Sequence, residues 1–143
     1  MALPNGAGGY QLGDGNLNEP ALGYLADPLS ETGVTTVTLT AAEVTGGILV
    51  ANPGTTGTTY TMPIVVTSGG TTGVNDLVSS AKVGSTFNWT VINIGTTTGD
   101  ITLAAGTGTG WTIVGALVID NETSASFVAR KTSDTTWTLY RTA

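Results

Sequence analysis

The chain of 143 residues contains no cysteine and no histidine. That double absence excludes disulfides, thiolate nucleophiles and the usual zinc sites. It also removes the side chain that most often serves as a general base near neutral pH. Charge is scarce too: charged residues make up 10% of the chain, against roughly a quarter in ordinary globular domains. The first basic residue is Lys82. Six acids precede it (Asp14, Glu19, Asp27, Glu31, Glu43, Asp76), and four acids and four bases run from Lys82 onward. With no basic patch, nucleic-acid binding is not expected. No stretch reaches the roughly 18 apolar residues of a membrane helix. The start shows no basic region leading into an apolar run, so neither a span nor a signal peptide is expected.

What the chain has in abundance is threonine and glycine, 29 and 21 residues. Threonine is β-branched and suits strands. Glycine supplies the positive φ angles of tight turns. Strong helix formers are few and no long segment shows helical spacing. A chain so poor in charge exposes surface that partners or sister subunits would cover.

Residues 1–33 differ from the rest. Pro4 to Asn16 is rich in turn residues, and Pro20 and Pro28 interrupt the remainder of the segment. Yet Leu3, Tyr10, Leu12, Leu17, Leu22, Tyr24, Leu25 and Leu29 are spread through it. A purely solvated linker would not carry so many apolar anchors. The segment reads as an extended N-terminal arm that lies on something: a partner, or its own domain.

Residues 34–143 read as one β-domain. Strands are expected within Val34–Thr40, Ile48–Ala51, Thr58–Met62, Phe87–Val91, Ile101–Leu103, Trp111–Ile113, Leu117–Ile119, Ser124–Arg130 and Trp137–Arg141. Thr40-Ala41-Ala42-Glu43 has the form of a capping box opening one helical turn, stopped at Gly46-Gly47. Within Pro63–Ala81, Ile64–Val66 suits a strand and Val74–Ser80 a short helix or loop. Turn signals recur every 8 to 12 residues or so, the rhythm of a sandwich or barrel. Crossover helices are absent, so the expected fold is all-β, a single antiparallel β-sandwich or jelly-roll-like domain behind the arm. The Gly-Thr clusters near 54, 69, 95 and 106 are unevenly spaced and read as turns rather than a repeat.

Motifs for chemistry are weak. Gly106 to Gly110 lacks the lysine and helix of a phosphate loop. Asp14, Asn16 and Asn18 open like a calcium loop, but Glu19 stands where glycine is required and Leu25 where the bidentate Glu belongs. Lys82 has Ser79, Ser80 and Ser85 near it, without the apolar surroundings that would lower its pKa. The acids are too scattered for a carboxylate pair. Asn88-Trp89-Thr90 and Asn121-Glu122-Thr123 match the glycosylation pattern, but Asn88 lies in an expected strand. No enzyme, cofactor or metal is expected. Trp89, Trp111 and Trp137, one in each of three late strands, read as core, with a glycan-binding platform or a subunit interface as alternatives.

Two stretches are similar to a known family. One is Thr38-Leu39-Thr40-Ala41-Ala42-Glu43-Val44-Thr45-Gly46-Gly47-Ile48-Leu49-Val50 with Thr59-Tyr60-Thr61-Met62-Pro63. The other is Val83 to Asn93, Ile101 to Gly108 and the closing Trp137-Thr138-Leu139-Tyr140-Arg141. From Val34 to the C-terminus the chain resembles bacteriophage capsid decoration (cement) proteins and related head-fibre modules. Where such proteins carry an Ala/Leu-rich helical piece, this chain has Pro63 to Gly70. The resemblance implies a sandwich-like domain, homotrimers on the outer face of a virion head, the major capsid protein as partner, and no catalysis. Leu3, Tyr10, Leu12, Leu17, Tyr24 and Leu25 are the expected capsid-binding residues. The alternative is a tail- or head-fibre or receptor-binding module that binds glycans.

Overall fold

Along Thr58–Thr61 and Ser124–Lys131, side chains alternate between buried and less buried positions, the period-two pattern of a half-buried strand. A computed structural model describes residues 25–143, and there this pattern builds two packed sheets. In chain order the elements are β1 (Leu29–Ser30), β2 (Thr36–Thr38), α1 (Ala41–Thr45), β3 (Ile48–Asn52), β4 (Thr58–Thr61) and α2 (Val74–Leu77). Then come β5 (Thr86–Asn93), β6 (Ile101–Ala104), β7 (Trp111–Val114), β8 (Val118–Ile119), β9 (Ser124–Lys131) and β10 (Trp137–Arg141).

The larger sheet has the order β1-β3-β5-β9-β10-β7 and the smaller β2-β4-β6-β8. Up to β9, each strand lies in the sheet opposite its predecessor; β10 alone stays in the sheet of the strand before it. The chain therefore winds as a flattened coil, laying one strand in each sheet per turn. The expected purely antiparallel sandwich or jelly roll is corrected by this path. β1 with β3, β3 with β5, β2 with β4, β4 with β6, and β7 with β10 all pair in parallel. Antiparallel pairs remain at β5–β9, β9–β10 and β6–β8. Parallel neighbours need a long return connection, commonly a helix. Here a strand of the facing sheet makes the return.

Successive turns of the coil align residue by residue. Leu29, Ala51 and Asn93 stand side by side, 22 and then 42 residues apart. Val37, Tyr60 and Leu103 do the same in the smaller sheet, 23 and then 43 apart. The turns stack as well. Asn52 accepts a hydrogen bond from the Gly54 N–H at 3.0 Å, and Asn93 from the Gly95 N–H at 3.0 Å. Thr97 Oγ1 donates to the Gly54 carbonyl at 2.8 Å. The Gly-Thr clusters at 54 and 95 are turns, as expected, but turns of successive coils, and in that sense a repeat.

The wider spacing of the second step comes from residues 62–85. The smaller sheet does not reach across β10 and β7, and this insertion roofs them instead. Trp111 donates its indole N–H to the Pro63 carbonyl at 2.8 Å, and Trp137 to Asn75 Oδ1 at 3.0 Å. Lys131 Nζ donates to the Ala81 carbonyl at 3.0 Å. Ile64–Val66 is not a strand; α2 supplies the short helix expected after Val74. The core between the layers is continuous, from Leu49, Ala51 and Tyr60 through Val91, Leu103 and Phe127 to Trp137 and Leu139.

Candidate interaction surfaces

A coil of parallel strands has two ends, and an end strand offers unpaired backbone to solvent. At the first end, β1 pairs only with the Ala51–Asn52 part of β3. Ile48, Leu49 and Val50 instead border a cleft of about 310 Å³, closed on its far side by Leu25, Ala26, Asp27 and Leu29. Pro28 lacks the N–H to continue the ladder backwards, which keeps the two segments apart. α1 forms one wall through Ala42, Glu43 and Gly46. Its capping box is as expected: Glu43 N–H donates to Thr40 Oγ1 at 3.3 Å and Thr40 N–H to Glu43 Oε2 at 2.6 Å. Trp89 fixes the helix to the larger sheet by donating its indole N–H to the Glu43 carbonyl at 3.1 Å. A second cleft, about 760 Å³, opens beside α1 and is bordered by Leu39, Ala41, Pro63, Ile64 and Leu77.

At the opposite end, β7 and β8 are the edge strands of their sheets. Val114, Leu117, Val118 and Tyr140 are all exposed there. Val114 and Tyr140 are register partners. Arg141 ties the group together, because its Nη1 donates to the carbonyls of Ala116 at 3.1 Å and Val118 at 2.7 Å. This end is therefore apolar with a cation, whereas Asp27 and Glu43 border the cleft of the first.

Leu25 is exposed by 51% on the lip of the first cleft. The other expected contact residues, Leu3, Tyr10, Leu12, Leu17 and Tyr24, lie outside the described residues, as does the calcium-like run at Asp14. The final part of the expected 1–33 arm joins the larger sheet: Leu29–Ser30 is β1, and Glu31 N–H donates to the Asn52 carbonyl at 3.0 Å. All three tryptophans are core residues, exposed by 0%, 7% and 1% for Trp89, Trp111 and Trp137. Their faces meet other rings, with Trp137 centred 5.2 Å from Phe87 and 6.3 Å from Trp111. Buried rings cannot form a glycan platform.

Lys82 and Ser85 meet only through a turn, where Lys82 N–H donates to Ser85 Oγ at 3.0 Å. Among the described residues no three metal-ligating side chains of the His, Cys, Asp and Glu types come together. Nor is any described helix long and apolar enough to cross a membrane. Tyr60 is the one perturbed ionisable group among the described residues. Its hydroxyl is buried and has no hydrogen-bond partner. Burial, with the charges of Glu31 and Glu43 adding, pushes its pKa above the usual phenol range. The edge surfaces escape sequence reasoning because they depend on strand order, and alternation alone does not say which strand ends a sheet.

Comparison of the chain with protein-family models, with curated proteins and with solved structures finds no match in any of the three.

Proposed function

We propose that this protein is a non-catalytic structural component of a bacteriophage virion. It binds the outer surface of the capsid through the major capsid protein and cements it, acting as a homotrimer. The observation that carries the proposal is a two-sheet scaffold with exposed apolar residues at both ends, Leu25 and Ile48 at one and Val114, Leu117, Val118 and Tyr140 at the other. Such a scaffold offers area to neighbours. Cementing asks for that: many small contacts across adjoining shell subunits, none of them strong alone. Five of the apolar residues within 1–24, Leu3, Tyr10, Leu12, Leu17 and Tyr24, serve for contact with the shell.

The test is copy number in purified virions, by quantitative mass spectrometry against the major capsid protein. Copies comparable to the shell subunits are expected. A handful per particle would favour the second reading, a fibre or receptor-binding module. That alternative draws on exposed Tyr140 and on the outward threonines of the smaller sheet, Thr36, Thr59 and Thr102, which lie in register. Absence from virions would overturn both.

A further inference from the structure

We infer that the two ends of the coil are the two halves of one interface, joining copies of this chain head to tail. The inference rests on the homotrimer part of the function proposed above and names its contact surface. The occupant of the cleft beside β3 is the β7–β8 end of a second copy.

Three features point to this pairing. First, the shapes are opposite. The β3 end is a recess lined by Leu25, Leu29, Ile48 and Val50. The β7–β8 end exposes Leu117, on the connection between the edge strands, and Val118, the first residue of β8. Second, the charges are opposite. Asp27 and Glu43 border the recess, and no basic residue occurs anywhere before Lys82. The projecting end carries Arg141, whose Nη1 donates to the carbonyls of Ala116 and Val118 and whose Nε donates to Ala143 O, with no Asp or Glu side chain bonded to it among the described residues. The acid nearest in sequence to Leu117 and Val118, Asp120, lies beyond Ile119 in the turn towards β9. Third, both ends expose strand edges of the same sheet, at Ile48–Val50 and along β7. Left open, such edges invite aggregation, and burying each against the other removes both liabilities.

Two complementary surfaces at opposite ends of one molecule cannot both engage in a single two-fold contact. They form a head-to-tail contact that closes into a ring or grows into a filament. Closure at three subunits uses every end.

The experiment mixes two variants broken at opposite ends. Ile48→Asp breaks the recess and Leu117→Asp breaks the projection. Both positions are exposed in the single chain, so thermal melts of the monomers check folding. Asp27→Lys and Val118→Asp form a second pair, used if either first variant fails to fold. Light scattering behind size exclusion should give wild type about three times the 14.3 kDa chain mass, and each variant alone the mass of one chain. Mixed in equal amounts, the two variants should form a dimer and nothing larger, because each retains one good end. A monomeric wild type overturns the inference, as do variants that stay trimeric. Variants that fail to pair on mixing also overturn it, because they show that the interface is not head to tail. Capsid binding, read separately from copy number in virions, stands or falls without this result.

Discussion

The indole N–H of Trp111 donates to the carbonyl of Pro63 at 2.8 Å, across 48 residues of chain. Both groups are buried. The bond locks the first residues of the insertion onto the edge strand of the larger sheet, next to Trp137.

Trp111→Phe keeps much of the apolar surface and removes the donor, with some packing lost because the ring is smaller. The Pro63 carbonyl is then left buried without a partner, which costs about 1–3 kcal/mol. Urea denaturation should show a loss of at least that size. Limited proteolysis should cut within residues 66–73 sooner than in wild type, while Trp111→Leu loses more packing and falls further.

Asn93 and Asn52 make the same turn bond but differ in what else they hold. Asn52 lies part-buried and accepts from Gly54. Asn93 is buried, accepts from Gly95, and donates to the Gly99 carbonyl at 3.0 Å and the Ile119 carbonyl at 3.2 Å. Asn93→Ala should therefore lower stability by about 3 kcal/mol and Asn52→Ala by about 1 kcal/mol, read as urea midpoints at equal slope. Equal losses would mean that the extra bonds of Asn93 contribute nothing.

Gly99 lies against the turn of the coil before it. A Cβ there would overlap the Gly54 carbonyl oxygen, which is backbone and cannot step aside. Gly84 has a φ of +95° but open space around it. Gly84→Ala should cost only the conformational strain, about 1–2 kcal/mol. Gly99→Ala forces two coils apart and should cost more, with melting temperature as the measure and the gap between the variants as the test.

Tyr60 sets a prediction for alkaline solution. Its pKa in the folded protein lies above the unfolded value of 10.0. The folded state therefore holds the phenol proton more tightly than the unfolded chain does. That contribution is complete below pH 10 and is lost as pH rises through the folded pKa, at up to about 1.4 kcal/mol per pH unit. Tyr60→Phe removes an unpartnered buried hydroxyl, so it should be neutral or stabilising at pH 7. It should also flatten the loss between pH 10 and about 11.5, followed by urea midpoints. A steep alkaline loss retained in Tyr60→Phe would assign it to other groups.

Local features of this fold are readable in the chain. The capping box at Thr40 and Glu43, the alternation of Phe87, Trp89 and Val91, and the β9–β10 hairpin arise from short-range chemistry, which sequence carries directly. Strand pairing is less legible. Asp120–Glu122 looks like a hairpin turn, but it carries the chain from the smaller sheet to the larger. The signal for parallel coils is nonetheless present. Val50-Ala51-Asn52-Pro53-Gly54-Thr55-Thr56 echoes in Val91-Ile92-Asn93-Ile94-Gly95-Thr96-Thr97. The insertion before β5 stretches the spacing and hides the echo from any search for an even period. The burial of the three tryptophans was legible from their strand positions. The recess beside β3 was not, because Pro28 and α1 shape it only once the coils are stacked.

The unequal coil spacing has an entropic side. Lengthening the second step from 22 to 42 residues nearly doubles the loop that must close before β3 meets β5. Loop-closure entropy grows only with the logarithm of length, so the added chain costs about 0.6 kcal/mol. The bonds from Trp111, Trp137 and Lys131 to the insertion outweigh that several times over. Residues 66–72 are exposed outside those anchors, and there the chain can lengthen or shorten at little thermodynamic penalty. That makes the loop a place where the surface can vary while both ends of the coil stay the same.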